Sequence, residues 1–246
     1  MKLILLRHGE SQWNLENRFT GWKDVKLTPN GIKEAGYAGN ELKKMNFELV
    51  SFYTSLLSRA TETARIVADI IGYNPEEIIY DWRLNERHYG ALQGLNKSET
   101  AKKYGEDQVH IWRRSFDIPP PLLDKNDKRH PRFNIKFKSI EGELPDGESL
   151  KNVIKRLSPF WEKYKEFIKE NKGSHLIVAH SNSLRAIIKI LDNLSNREIV
   201  SVNIPTGIPL VYTLDDNFNV LNKEYLIDQA TLNQKETEII NQGKSK

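Results

Sequence analysis

Apolar residues occur in two unbroken runs of four, at 3–6 and at 176–179. A strand with one wet face would alternate, so runs without alternation suit strands covered on both faces of a parallel sheet. They predict strands over 2–6 and 175–179, and each run leads into a histidine, His8 (after Arg7) and His180. Short apolar clusters predict further strands at 47–54, 78–80 and Pro209–Leu214. Between the strands the apolar period lengthens. Val153, Ile154, Leu157, Trp161, Tyr164 and Ile168 recur at helical spacing within 149–170. Pro159 lies inside that pattern and predicts a kink or a break. Thr28 as N-cap and Pro29 at the first helical position open a helix running to about residue 45. Another is predicted over Ser58–Ile71, closed by Gly72, and a further one over 183–191.

Strands alternating with helices predict an α/β fold, a three-layer sandwich whose mostly parallel central sheet is flanked by helices. Ligands of such sheets sit outside the carboxyl ends of the strands, which is where His8 and His180 fall. Residues 106–148 break the rhythm, with Arg113-Arg114, the run 119–121 of three prolines and a basic stretch over 125–138. They are expected to be an insertion over the ligand edge of a single domain spanning 1–231. Residues 232–246 are polar without a core pattern and predict a mobile tail.

The 246 residues are 38% hydrophobic and 28% charged, which is enough apolar content for a core. The 37 basic and 33 acidic residues leave a net charge of +4. That permits an anionic small-molecule substrate without calling for nucleic acid. The basic stretch also lacks the interleaved aromatic platform of a single-strand binder, Phe133 and Phe137 aside. The absence of cysteine excludes disulfides, thiolate catalysis and a cysteine metal site. The apolar runs fall far short of the ~20 residues of a membrane helix or the ~7–15 of a signal peptide. A soluble cytoplasmic protein with no membrane partner is expected.

The chemistry begins at Leu6-Arg-His-Gly-Glu10. An imidazole can attack phosphorus, an arginine fork matches phosphate oxygens, and Gly9 allows close backbone approach. Alone, that tripeptide reads more readily as a surface turn whose histidine does nothing. His180-Ser181-Asn182-Ser183 shifts the balance, because it joins a second strand-end histidine to a polar helix start whose N–H groups would face an anion. Arg59, at a helix start after a strand, projects toward the same edge, although its spacing alone suits a solvated side chain. Glu86, in the loop with Arg87 and Tyr89, is placed to exchange a proton, or to be an ordinary surface carboxylate. Arg113-Arg114 by itself reads as a solvated pair. The six histidines, at 8, 88, 110, 130, 175 and 180, show no His-x-x-x-His spacing, so no metal site is expected.

The stretches Leu6-Arg-His-Gly-Glu-Ser-Gln-Trp-Asn14, Phe19-Thr-Gly-Trp22, 84–97, Trp112-Arg-Arg114, 144–150 and 203–209 together resemble the cofactor-dependent phosphoglycerate mutases of the histidine phosphatase superfamily, over roughly residues 1–226. The resemblance implies interconversion of 2- and 3-phosphoglycerate in glycolysis and gluconeogenesis through a phosphohistidine and 2,3-bisphosphoglycerate, without a metal and with a minor bisphosphoglycerate phosphatase or synthase activity. It implies His8 as the nucleophile, Glu86 as proton donor and acceptor, and His180 as stabiliser of the transferring group. Arg7, Asn14, Arg59 and Asn182 would bind that group. Thr20, Gly21, Tyr89, Lys97, Arg113 and Arg114 would hold the second phosphate and the carboxylate, with Arg87, His88 and Ser181 also among the substrate-binding residues. Relatives form homodimers or homotetramers. Ser181 departs from the glycine usual in the family after the second histidine. A phosphomonoesterase of the same superfamily would share His8, Arg7, Arg59 and His180 without needing Arg113-Arg114.

Overall fold

The computed structural model describes residues 1–241. In chain order the elements are β1 (Lys2–Arg7), α1 (Gln12–Leu15), α2 (Pro29–Lys44), β2 (Leu49–Thr54), α3 (Ser58–Ile71), β3 (Ile79–Tyr80), α4 (Lys97–Tyr104), α5 (Glu106–Arg114), α6 (Leu150–Glu170), β4 (Ser174–Ala179), α7 (Ser181–Leu191), β5 (Pro209–Leu214), β6 (Val220–Tyr225) and α8 (Gln229–Asn241). The strands form one sheet in the order β3-β2-β4-β1-β5-β6. Neighbours among β3, β2, β4 and β1 are parallel, and β5 and β6 add antiparallel pairings.

The two-sided strands are buried as their patterns predict. Leu3 and Leu5 of β1 face one core and Ile4 and Leu6 the other. On the first face α6 and α7 bring Leu157, Trp161, Tyr164, Leu184 and Ile187. On the second, α2 and α3 bring Ala38, Leu42, Ala60, Ala64 and Val67. The sheet is therefore the middle of three layers. The predicted punctuation is also present. Thr28 Oγ1 accepts from the Gly31 N–H at 3.0 Å, Pro29 is the first residue of α2, and Gly72 ends α3 at φ 78°.

Three readings need correction, and one strand was not predicted. Pro159 neither breaks nor divides α6. It and Lys155, whose carbonyl loses its partner, lie on the exposed side, where water can satisfy that oxygen. The helix after His180 begins two residues earlier than predicted, at Ser181. Strand β6 carries no apolar pattern because it is an edge strand, and its Val220 and Tyr225 are only half-buried. Residues 232–241, expected to be patternless tail, belong to α8, whose sparse apolar contacts are Leu232 and Ile239, two turns apart. The remainder of that expected tail, 242–246, lies outside the described residues.

The insertion segment packs down on neighbouring loops. Phe137 sits on Trp22 with ring centroids 4.9 Å apart, and the Ala91 N–H donates to the Pro121 carbonyl at 2.8 Å. Gly90 permits this approach: at φ 55°, an added Cβ would lie 2.1 Å from the Pro121 oxygen.

Candidate active site

The register of the central strands assembles the site. β1 and β4 pair in parallel, Leu6 opposite Val178 and Arg7 opposite Ala179, and the His8 N–H continues the ladder to the Ala179 carbonyl at 3.0 Å. The next residue on each chain is a histidine, so the two rings meet with centroids 4.9 Å apart. Both are buried. His8 Nδ1 lies 2.7 Å from the Gly9 carbonyl, which can only accept, so the proton is on Nδ1. Nε2 then keeps its lone pair, and it accepts from Arg59 Nε at 3.2 Å. Burial, with Arg59 and Arg7 alongside, holds the pKa of His8 well below the ordinary imidazole value. His180 is depressed in the same way, by burial, Arg59 and His8, and its Nε2 lies 2.7 Å from Ser55 Oγ beyond the end of β2.

Buried arginines surround this pair. Arg59, 1% exposed, is held by the carbonyls of Gly21 at 2.9 Å and Lys23 at 3.1 Å. Its reading as a solvated side chain fails because the first turn of α3 aims inward under the loop 20–24. Burial lowers it to about 10, which leaves it charged at neutral pH. Arg7 Nη1 donates to the Ile204 carbonyl at 2.7 Å, and its buried Nε has no partner among the described residues. Gly9 does allow close approach, but to protein: a Cβ there would lie 2.2 Å from the Gly31 oxygen at the start of α2.

Glu86 lines the same pocket. Three donors converge on its Oε1: the N–H of Arg87 at 2.8 Å, the N–H of Asn182 at 3.1 Å and Asn182 Nδ2 at 2.9 Å. Its other oxygen takes none of them. The loop behind it is pinned from below. Arg156 donates to the carbonyls of Arg83, Asn85 and Glu86, and pairs with buried Glu148 at 2.7 Å.

Asn14, Thr20, Gly21, Tyr89 and Ser181 line the same polar pocket. So do Lys97, Arg113 and Arg114. Burial beside Arg113 and Arg7 pushes the Lys97 ammonium well below its ordinary value. Arg114, lowered to about 10 by burial and Arg113, donates to Asn203 Oδ1 at 2.6 Å. Ser181 has no positive φ, so a side chain there costs no backbone strain. Arg87 and His88 do not line the pocket. Arg87 stacks over the Tyr89 ring at 4.6 Å and binds the Arg113 carbonyl, while buried His88 receives the Gly90 N–H on Nδ1. Both shape the wall from behind. Three lining residues were missed: Arg18, Arg185 and Ile239. Arg185 stands one helical turn after Asn182, a spacing that sequence alone contains. Ile239 lies on α8 and has no local signal. Among the described residues no cluster of three His, Asp or Glu could hold a metal ion, and no helix is long and apolar enough to cross a membrane.

A strand-end histidine with an unprotonated ring nitrogen, a second histidine beside it and two buried arginines around them define a phosphoryl-transfer site. Residues 3–223 match the histidine phosphatase superfamily (branch 1), and the chain belongs to that superfamily. Over its whole length it is 54% identical to the 2,3-bisphosphoglycerate-dependent phosphoglycerate mutase of Treponema denticola, matching all of that protein, and 50% identical to the enzyme of the same name from Borreliella burgdorferi, matching 99% of it. The fold also resembles a mycobacterial glucosyl-3-phosphoglycerate phosphatase, with a TM-score of 0.65 and 21% identity over 91% of this chain and 96% of that one.

Proposed function

We propose that this chain interconverts 2-phosphoglycerate and 3-phosphoglycerate through a phosphohistidine at His8, with 2,3-bisphosphoglycerate as cofactor. The observation that carries the reading is a buried imidazole, unprotonated at Nε2, lining one pocket with Arg7, Arg59, Lys97, Arg113 and Arg114. The full-length identity to enzymes of that name supports the same substrate. When bound, 2,3-bisphosphoglycerate supplies the phosphoryl group that primes His8. The residues fit such a polyanion: Arg7 Nε lacks a partner among the described residues, and Lys97 is crowded by like charges that an anion would relieve.

In the transfer, His8 Nε2 forms a bond to phosphorus as the ester P–O bond breaks, and the freed hydroxyl oxygen takes a proton from Glu86. In the return direction Glu86 takes that proton back. Arg7, Arg59 and His180 face the charge on the moving group, which is where phosphoryl transfer gains most of its rate. Asn14, Thr20, Gly21 and Asn182 complete the cradle. Lys97, Arg113 and Arg114 hold the far phosphate or carboxylate while the molecule turns round, which a simple phosphomonoesterase does not require. The same reading carries a cytoplasmic homodimer or homotetramer, whose size sedimentation velocity reads.

His8→Ala is expected to lose both mutase turnover and labelling by radioactive bisphosphoglycerate. Mutase turnover retained in that variant would refute the mechanism. Release of inorganic phosphate from 3-phosphoglycerate without isomerisation, with or without bisphosphoglycerate, would favour the phosphomonoesterase.

A further inference from the structure

Arg185 is 1% exposed and lies one turn after Asn182 on α7. Its Nη1 donates to Asn182 Oδ1 at 2.9 Å and its Nη2 to the Ile199 carbonyl at 2.6 Å. A guanidinium has donors only, so the amide must present its oxygen to Arg185. The amide nitrogen is thereby turned the other way, onto Glu86 Oε1 at 2.9 Å, with the Tyr89 hydroxyl at 3.4 Å. An amide is nearly symmetric in shape, and nothing in Asn182 itself favours this orientation over the reverse. Reversed, a carbonyl would face the Glu86 carboxylate.

We propose that Arg185 is a positioning residue for proton transfer, holding the Asn182 amide so that it grips Glu86 Oε1 and leaves Oε2 to carry the proton. Arg185 lines the pocket and its Nε has no partner among the described residues, but Nη1 is committed to Asn182 and Nη2 to the Ile199 carbonyl, so its role runs through Asn182, and the test below separates that role from direct phosphate binding. The inference rests on the function proposed above and deepens it. During phosphorylation of His8, the Nε2–P bond forms, the P–O bond breaks, and the electron pair left on the ester oxygen takes the proton of Glu86. The hydroxyl of a phosphoglycerate is a poor leaving group and needs that proton. A dinitrophenolate does not.

The test compares single-turnover phosphorylation of His8 by 2,3-bisphosphoglycerate and by 2,4-dinitrophenyl phosphate. General acid–base catalysis contributes ~10²–10⁴-fold. Arg185→Met is therefore expected to lose about 10²-fold with bisphosphoglycerate and less than about threefold with the aryl phosphate, the same selectivity as Glu86→Gln. Arg185→Lys, which keeps a cationic donor for Asn182 Oδ1, is expected to recover about tenfold of that loss. Equal losses with both phosphates would overturn the proposal, marking a phosphate ligand or a packing residue, and so would no loss with either. Should Arg185→Met fail to fold by circular dichroism, Arg185→Gln carries the same comparison. The proposed function is tested separately by the wild-type chain: no phosphohistidine at position 8 would sink that reading, whereas equal losses in the variant would sink only the role of Arg185.

Discussion

Burial sets the protonation of the histidines, and with it the pH range in which the molecule stands. His8 is committed to the Gly9 carbonyl on one nitrogen and faces Arg59 with the other. Its pKa is held well below the ordinary value, so its own protonation should limit activity only well under pH 6.5. His88 is lowered to about 3, first by burial and then by His130 and Arg156. A histidine with a depressed folded pKa stays neutral in the native state while the unfolded chain takes up the proton. Its stabilising contribution is present above pH 6.5 and is lost as pH falls toward the folded pKa. At pH 5 His88 alone should cost about 2 kcal/mol relative to pH 7.5. Urea midpoints at the two pH values check this, and His88→Gln should lose less on acidification than the wild type. An identical pH slope in that variant would assign the effect elsewhere. At this scale the two strand-end histidines were readable, because each closes an apolar run. Arg59 and the Arg113-Arg114 pair were not, since spacing cannot tell a charge on a solvated face from one aimed into a pocket.

The elements follow their punctuation wherever the signal is local. Thr28 and Gly72 act within one turn of themselves, which a sequence pattern contains. The start of α2 also depends on a contact that no pattern shows. Gly31 packs so closely on the strand-end loop that a Cβ would lie 2.0 Å from the Glu10 carbonyl oxygen. Backbone cannot give way as a side chain end can, so Gly31→Ala is expected to destabilise by about 3 kcal/mol. Gly36, on the same helix with nothing within 4 Å, is the contrast: Gly36→Ala should stabilise by about 0.5–1 kcal/mol. Unfolding midpoints measure both, and a neutral Gly31→Ala would mean that β1 and α2 can slide apart freely. Strand β6 and helix α8 escaped sequence reading for a common reason. Each buries too little apolar surface to leave a period: β6 is an edge strand paired only with β5, the strand before it, and α8 is anchored to Glu34, far back in the chain.

Across the whole molecule, α8 returns over the sheet edge. Lys235 pairs with Glu34 at 3.0 Å, Glu34 Oε2 receives the Glu10 N–H at 2.7 Å, and Ile239 forms part of the pocket wall. Removing residues 229–246 would open that wall to water. Exclusion of water protects a reactive phosphohistidine from hydrolysis. The truncated chain is therefore expected to release more inorganic phosphate per isomerisation, and an unchanged ratio would show that α8 is no barrier.

Hydrophobic patterning by itself determined the layered α/β architecture. Burying a strand on both faces leaves an unbroken apolar run, and an amphipathic helix leaves a stripe. It also set a histidine at the end of each of two such strands. Only the tertiary structure decided that β1 and β4 are neighbours in the register that brings those rings together. It alone turned Arg59 and Arg185 inward and brought Glu86 into the same pocket. Those outcomes depend on contacts between segments remote along the chain, where the energy of a buried charge is settled by partners that no local period encodes.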